Sequence, residues 1–308
     1  MKKLICLLLA IPLLFISCSK ENTECEESVQ VNFYAKVPQG LGTRSSSGLT
    51  VNTVYCAVYE NDSELKALRT KISIVDGQDI IFSPRLIKSR TYKVVFWACK
   101  EGAYDINSME NITRIAPDAS NGFTEEDYDA FTFATDNFTV VDKPIYQNVT
   151  LTRPFAQLNL GITESEWNLV QNTFGQKPAK IDILIDDAKK AYDAFNQIPV
   201  GENITTEVEY KLKCSGDLFS CTVAGTDKQF KSIGMCYVLL GSTTIPQVTY
   251  TVYDENSKKI VESININNVK MEKNYRTNVV GNLLTGTVNY TISLQSALET
   301  HPDYNTEI

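Results

Sequence analysis

Alternation of apolar and polar residues dominates this chain. Segments with an apolar residue at every second position are filled with Val, Ile, Thr, Tyr and Phe and are separated by Gly, Asn, Asp and Pro. A period of two is the repeat of a strand with one buried face, and these residue types favour strands. Short strands at this spacing predict antiparallel β-sandwiches rather than alternating strands and helices. The predicted strands are 51–59, 91–98, 131–141, 146–152, 155–160, 181–185, 206–213, 235–240, 247–254 and 260–269.

Helical signals are few and short. Thr163 and Glu166 have the spacing of a capping box, and the residues after them predict a helix of two or three turns. A similar start lies at 124–127. The segment 186–195 is compatible with either a short helix or a loop. The segment 101–123 has no clean period, and we expect it to cross the surface.

Two alternating segments lie at opposite ends of the chain. Burying four or five of their apolar side chains would contribute about 6–15 kcal/mol, which is comparable with the stability of a whole domain. A domain that lost its first strand would therefore need a replacement, which the last strand of a neighbouring subunit could supply. The alternative is that both strands stay in their own domains. The apolar positions are Val29, Val31, Phe33, Ala35 and Val37 near the start, and Val288, Tyr290, Ile292 and Leu294 near the end.

The first residues predict export. Lys2 and Lys3 precede an apolar run of 13 residues, 4–16, which is too short to span a membrane and is typical of a signal peptide. Ser17 directly before Cys18 indicates a bacterial lipoprotein signal, whereas an ordinary signal peptide that contains Cys18 is the alternative. We therefore expect residues 1–17 to be removed, Cys18 to carry lipid, and the polar residues 18–28 to form a tether.

Length and charge narrow the classes of function. The 291 residues left after processing correspond to about two domains at roughly 150 residues each, with a break expected near Arg153 and Pro154. Loss of Lys2 and Lys3 leaves 27 basic and 37 acidic residues, a net charge of −10. Such a chain repels phosphate backbones, so nucleic acid is not an expected partner.

The cysteines and the single histidine argue against an enzyme. Three cysteines, Cys56, Cys99 and Cys236, lie in apolar runs and are predicted to be buried thiols, whereas the pairing of Cys214 with Cys221 stays open. No spacing suggests zinc. His301 stands alone in a polar tail, which removes histidine-based triads and multi-histidine metal sites. The acidic clusters at 125–129 and 186–187 lack the spacing of calcium loops. We expect no catalysis, metal or cofactor.

Four motifs carry a family resemblance. They are GLGTR at 40–44, VYCAVYEND at 54–62, RPFAQLN at 153–159 and NYRTNVVGNLL at 274–284. Together with the lipoprotein signal they resemble the fimbrillins, which are the type V pilins and their lipoprotein relatives. The resemblance spans most of the mature chain. It implies an all-β protein of two tandem transthyretin-like antiparallel β-sandwich domains, 29–153 and 154–308, with few short helices.

The resemblance also implies a function. In polymerising fimbrillins an arginine-specific protease cuts the loop after the first strand, which leaves and is replaced by the last strand of the next subunit. In this chain the cut would fall between Arg44 and Ser45, the displaced strand would be 29–37, and the donor would be about 287–294. The expected partners are copies of itself or other fimbrial subunits, and outer-membrane lipid through Cys18.

Two roles follow from the sequence. The first is a structural or adhesive surface lipoprotein, either a fimbrial subunit or an anchor or tip protein that keeps its first strand. The second is a lipid-anchored module that binds a glycan or a protein, including a host ligand, and never polymerises. Exposed tyrosines, among the 15 in the chain, could stack on sugars, although most fit strand faces.

Overall fold

The computed structural model describes residues 27–38, 50–75, 78–116, 122–173, 175–203, 210–242, 244–285 and 289–295. These residues form mostly strands, arranged as tandem β-sandwich domains, and each of the ten strands predicted from sequence overlaps an observed one. Across these ranges no helix is long and apolar enough to cross a membrane. The first half contains β1 Ser28–Lys36, β2 Thr53–Glu60, β3 Ser63–Glu64, β4 Thr70–Ser73, β5 Ile80–Phe82, β6 Arg85–Ile87, β7 Thr91–Cys99, β8 Tyr104–Asp105, β9 Ile112–Arg114, β10 Ala130–Ala134, β11 Phe138–Thr139 and β12 Ile145–Thr150.

The second half also consists mostly of strands and contains the α-helix found within the described residues. Short 3₁₀ helices at Lys66–Leu68 and Glu125–Tyr128 interrupt the first half. The remaining elements are β13 Ala156–Ile162, α1 Glu164–Thr173, β14 Pro178–Ile185, β15 Lys189–Asp193, β16 Ile198–Asn203, β17 Tyr210–Lys213, β18 Leu218–Val223, β19 Thr226–Val238, β20 Val248–Asp254, β21 Lys259–Ile266, β22 Arg276–Asn282 and β23 Asn289–Gln295.

Two sheets face each other in the N-terminal sandwich. One has the strand order β12-β1-β5, with β6 also pairing with β1. The other has the order β10-β7-β2-β3, with β11 on β7 and β4 on β2. The alternating apolar side chains of both sheets meet between them, and this shared burial holds the layers together. The fully buried members include Val31, Phe33, Ala35, Val54, Cys56, Val58, Val94, Phe96, Ala98, Phe131 and Leu151.

The C-terminal sandwich is built in the same way. Its five-stranded sheet has the order β18-β19-β13-β22-β23, and its four-stranded sheet has the order β17-β14-β20-β21. Among the described strands, two pairs, β1 with β12 and β13 with β22, are parallel. The sequence could not reveal this direction, because the period-two pattern is the same in parallel and antiparallel strands with one buried face.

A third apolar cluster joins the two sandwiches. The small sheet β16-β15-β9-β8 contains strands from both halves of the chain. The cluster beside it combines Trp97 and Tyr128 of the first half with Phe155, Tyr192 and Tyr237 of the second. The two sandwiches therefore share buried surface, and the boundary between residues 153 and 154 stays a prediction.

This cluster corrects two expectations from the sequence. The segment 101–123 does not simply cross the surface, because Ala103, Met109 and Ile112 are fully buried and β8 and β9 lie within it. The segment 186–195 is neither a helix nor only a loop, since it contains β15. Both segments pack on a cluster drawn from several elements, so their apolar residues do not follow one period.

Both predicted helix starts are confirmed. The Thr163 hydroxyl accepts a hydrogen bond from the backbone N–H of Glu166 at 3.2 Å, at the start of α1. Thr124 and Asp127 form a capping box at the second 3₁₀ helix, where the Thr124 backbone N–H donates to the Asp127 carboxylate at 2.8 Å. At α1 the capping box is only half formed, because the Glu166 side chain binds elsewhere.

The described cysteines are free thiols. Cys56, Cys99 and Cys236 are buried as predicted. Cys214 and Cys221, for which pairing was open, are also buried and free. Burial raises the pKa of the Cys99 and Cys214 thiols to about 12, so these groups stay protonated and unreactive near neutral pH.

Candidate strand-exchange site

The first strand occupies the middle of its sheet. β1 pairs in parallel with β12, from Val31 opposite Ile145 to Lys36 opposite Thr150. On its other side it pairs antiparallel with β5 and then with β6. Because both edges of β1 are hydrogen-bonded, its removal would open two new sheet edges at once.

The inward side chains of β1 fill the N-terminal core. Val31, Phe33 and Ala35 have no exposed surface, and Val29 and Val37 are half-buried against the same cluster. The alternation predicted for this strand is therefore present in the structure. The role of these five residues as a displaced strand stays a prediction.

Phe33 is the central contact of this strand. Its ring lies 6.2 Å from that of Phe82, 5.8 Å from that of Phe96 and 6.0 Å from that of Phe138, measured between centroids. The last two pairs are edge-to-face, which is a favourable arrangement for aromatic rings. The three partners come from β5, β7 and β11, so Phe33 contacts strands of both sheets.

The predicted processing residues follow β1 in the sequence. The described chain continues from β1 through Val37 to the buried Pro38 and resumes at Thr50. Arg44 and Ser45 lie outside the described residues, as does the lipidation candidate Cys18. Cleavage and lipidation therefore stay predictions.

The last strand lies at an edge. β23 pairs antiparallel with β22 and ends the five-stranded sheet. Tyr290 and Ile292 are half-buried against the C-terminal core, and Leu294 is also half-buried. Val288, the fourth predicted donor residue, lies outside the described residues. Within the described residues the strand thus has one backbone-paired neighbour, a side-chain hydrogen bond of 3.1 Å between Ser293 and Cys221 of β18, and incomplete burial, in contrast with β1.

A buried carboxylate fixes the segment that leads to β23. Glu166, on the first turn of α1, accepts hydrogen bonds from the backbone N–H groups of Leu283, Leu284 and Thr285 at 2.8–2.9 Å. The Thr285 hydroxyl donates to the same carboxylate at 2.9 Å. The Tyr250 hydroxyl donates to the Leu283 carbonyl at 2.6 Å. Hydrogen bonds to a carboxylate are stronger than neutral ones, so residues 283–285 are held firmly before β23 begins.

Sequence reasoning missed this contact. Glu166 was visible only as the third residue of a capping box, whose side chain ordinarily returns to the backbone of the N-cap residue. The Thr163 backbone N–H instead donates to the Gly281 carbonyl at 3.3 Å, which leaves Glu166 available for the 283–285 segment. The partners are more than 115 residues apart. Nothing in the local sequence indicates them.

The junction between the sandwiches is polar as well as aromatic. Arg153 is buried and donates two hydrogen bonds of 2.7 Å to Asp129. Burial raises the pKa of Asp129, and Arg153 opposes that rise. A cavity of about 30 Å³ is lined by residues of both halves of the chain, which include Trp97 and Tyr192. Over the ranges that the structure describes, no group of three His, Cys, Asp or Glu residues is arranged to hold a metal ion.

Comparison with known families gives one match. The model described as "Family of unknown function (DUF6562)" covers residues 22–308. The chain belongs to this family. No curated protein matches it.

Among solved structures, the fimbrial anchor protein Mfa2 from Porphyromonas gingivalis is 10% identical, with a TM-score of 0.42 over 89% of this chain and 99% of that one. A fimbrial assembly protein from Parabacteroides distasonis is 11% identical, with a TM-score of 0.41 over 87% and 96%. A candidate adhesin from Bacteroides thetaiotaomicron is 9% identical, with a TM-score of 0.47 over 86% and 95%. At these identities and TM-scores no property of the three proteins is transferred to this chain.

Proposed function

We propose that this chain is a structural or adhesive cell-surface lipoprotein, a fimbrial subunit or an anchor or tip protein of a fimbrium. The observation that carries the proposal is the contrast between its terminal strands. β1 fills the centre of a sheet with three fully buried side chains, whereas β23, with a matching alternation, lies at an edge. One strand is needed by the domain that it completes, and the other is available to complete a second subunit.

Cleavage after Arg44 would allow strand exchange to begin. It would leave β1 attached only through its sheet hydrogen bonds and its inward side chains. The vacated groove would expose Phe82, Phe96 and Phe138, which costs free energy in water. Tyr290, Ile292 and Leu294 of the next subunit would cover the groove again. The cut therefore frees β1 to leave, and the cost of an open groove favours its refilling by β23 of the next subunit.

The hydrogen bonds that Glu166 accepts from residues 283–285 support the role of β23 as the donor strand. Exchange requires β23 to leave its own sheet while the rest of the C-terminal sandwich stays folded. The hydrogen bonds that residues 283–285 donate to Glu166 hold this segment in place, so the strand beyond it can detach without unravelling β22. Cys18, lipidated in the outer membrane, would anchor subunits that are not cleaved.

The test uses two proteases and one conservative variant. The mature chain is treated with an arginine-specific protease, and the products are followed by light scattering and N-terminal sequencing. We expect oligomers whose subunits begin at Ser45. Arg44→Lys keeps the charge but resists this protease, so it stays monomeric. Trypsin, which also cuts after lysine, restores oligomers of the Arg44→Lys protein.

Two results would refute strand exchange. One is a cleaved wild-type chain that remains monomeric and retains segment 18–44. The other is assembly of Arg44→Lys with the arginine-specific protease. The N-terminal residue of the protein from cells separates the roles, because Cys18 indicates an intact anchor or tip and Ser45 a processed subunit.

A further inference from the structure

The outer face of the sheet that contains β1 carries an ordered pattern of side chains. On β1 the outward residues Asn32 and Tyr34 are half-buried. On β12 the outward residues Tyr146 and Asn148 are exposed, and Tyr146 is 67% exposed. The register places Asn32 opposite Tyr146 and Tyr34 opposite Asn148. Two tyrosines and two asparagines thus alternate at the corners of one small surface, here called the Tyr–Asn face.

The dimensions of the Tyr–Asn face follow from sheet geometry. Neighbouring strands lie about 4.8 Å apart, and residues i and i+2 about 6.6 Å apart along a strand. The two tyrosines are therefore diagonal neighbours whose Cα atoms lie about 8 Å apart. On the other side of β1, Ile81 lies opposite Tyr34 and is 53% exposed. The face is continued by an apolar side chain, so it extends across three strands.

The charged side chains on this side of the sheet lie outside the four residues of the Tyr–Asn face. Lys36, the charged outward residue of β1, forms an ion pair with Asp79 at 3.5 Å. Ser83 donates to the Asn32 side-chain oxygen at 2.8 Å, which orients the amide. Arg85, which pairs with Gln30 on this side of the sheet, is exposed and donates to Ser28 at 3.2 Å. The four side chains of the Tyr–Asn face itself are two amides and two phenols. The complementary ligand is uncharged, rich in hydroxyl groups, and has an apolar face that can lie on a ring.

We propose that the Tyr–Asn face binds a neutral glycan. The tyrosine rings would stack on the C–H faces of two sugar units, and the amides of Asn32 and Asn148 would donate to and accept from their hydroxyls. This site belongs to the uncleaved chain, in which β1 is in place.

The test uses the mature, uncleaved chain and an array of neutral oligosaccharides of hexoses and N-acetylhexosamines. Sulfated and uronic acid-containing oligosaccharides serve as charged comparators. We expect binding to one class of neutral glycan, measured further by titration calorimetry. Tyr146→Ala and Asn148→Ala should each weaken it about tenfold, because each removes one aromatic or hydrogen-bonding contact. Both positions are exposed, so the variants retain the fold.

Tyr253→Ala is the matched control. Tyr253 is a half-buried outward tyrosine on β20, in the other sandwich, and its loss should leave glycan affinity unchanged. The proposal is overturned if no neutral glycan binds at about 1 mM, or if only charged glycans bind. It is also overturned if Tyr146→Ala binds as tightly as the wild type, or if Tyr253→Ala weakens binding equally.

Discussion

Phe33→Ala tests how strongly β1 holds the N-terminal sandwich together. The ring is fully buried and contacts three other rings at 5.8–6.2 Å. Truncating a buried phenylalanine costs about 3–5 kcal/mol, which combines lost transfer free energy with the cavity that remains. Two edge-to-face pairs are lost with it, so we expect about 4 kcal/mol. That is a large part of the about 5–15 kcal/mol by which a typical domain is stable.

Urea unfolding followed by circular dichroism measures this change. With a slope of about 2–3 kcal/mol per molar urea, the midpoint of the transition that reports the N-terminal sandwich should fall by about 1–2 M. Tyr34→Ala is the matched control, since it truncates the neighbouring side chain on the outward face of β1. We expect the control to cost less than about 1 kcal/mol. A cost below about 1 kcal/mol for Phe33→Ala, or equal costs for both variants, would refute the central role of β1.

Two further predictions concern buried polar groups. Glu166→Gln sets an amide N–H₂ or a weaker acceptor against three backbone N–H donors, which should lower the free energy of unfolding by about 1–3 kcal/mol and accelerate hydrogen exchange at residues 283–285. The control Glu164→Gln changes an exposed residue and should leave this exchange unchanged. Equal effects of the two variants would contradict the role of Glu166. Burial raises the pKa of the Cys214 thiol in the folded state above its value in the unfolded chain. Its contribution to the free energy of unfolding is therefore complete below about pH 9 and is lost as the pH rises towards 12. In urea unfolding measured at several pH values, Cys214→Ala should reduce the fall in stability above about pH 9, and an unchanged fall would contradict the prediction.

The sequence predicted the features that follow from a single repeat of apolar residues or from neighbouring residues in the chain. The five apolar positions from Val29 to Val37 alternate strictly, and the structure packs them against one core, four from β1 and Val37 directly after it. The helix after Thr163 was predicted because a cap and the residues after it lie together in the sequence. In both cases the deciding interactions are local, or depend only on which side of an element faces the core.

Contacts that join distant segments were not predicted. Met109 and Ile112 pack on a cluster formed by both sandwiches, so their spacing reflects several neighbours rather than one strand or helix. Glu166 binds backbone groups of residues 283–285, and backbone donors carry no sequence signal. The Tyr–Asn face was also hidden. Its pattern depends on the register between β1 and β12, which are more than 100 residues apart.

The two proposed functions compete for β1. Strand exchange removes β1, and with it Tyr34 and Asn32 of the Tyr–Asn face. If Tyr290, Ile292 and Leu294 enter the groove, the residues between them point outward, and these are a threonine and a serine rather than an aromatic residue. A processed subunit would therefore keep only the β12 half of the face. We then expect the uncleaved protein, as an anchor or tip, to bind glycan. Cleavage would remove part of the binding surface and allow assembly.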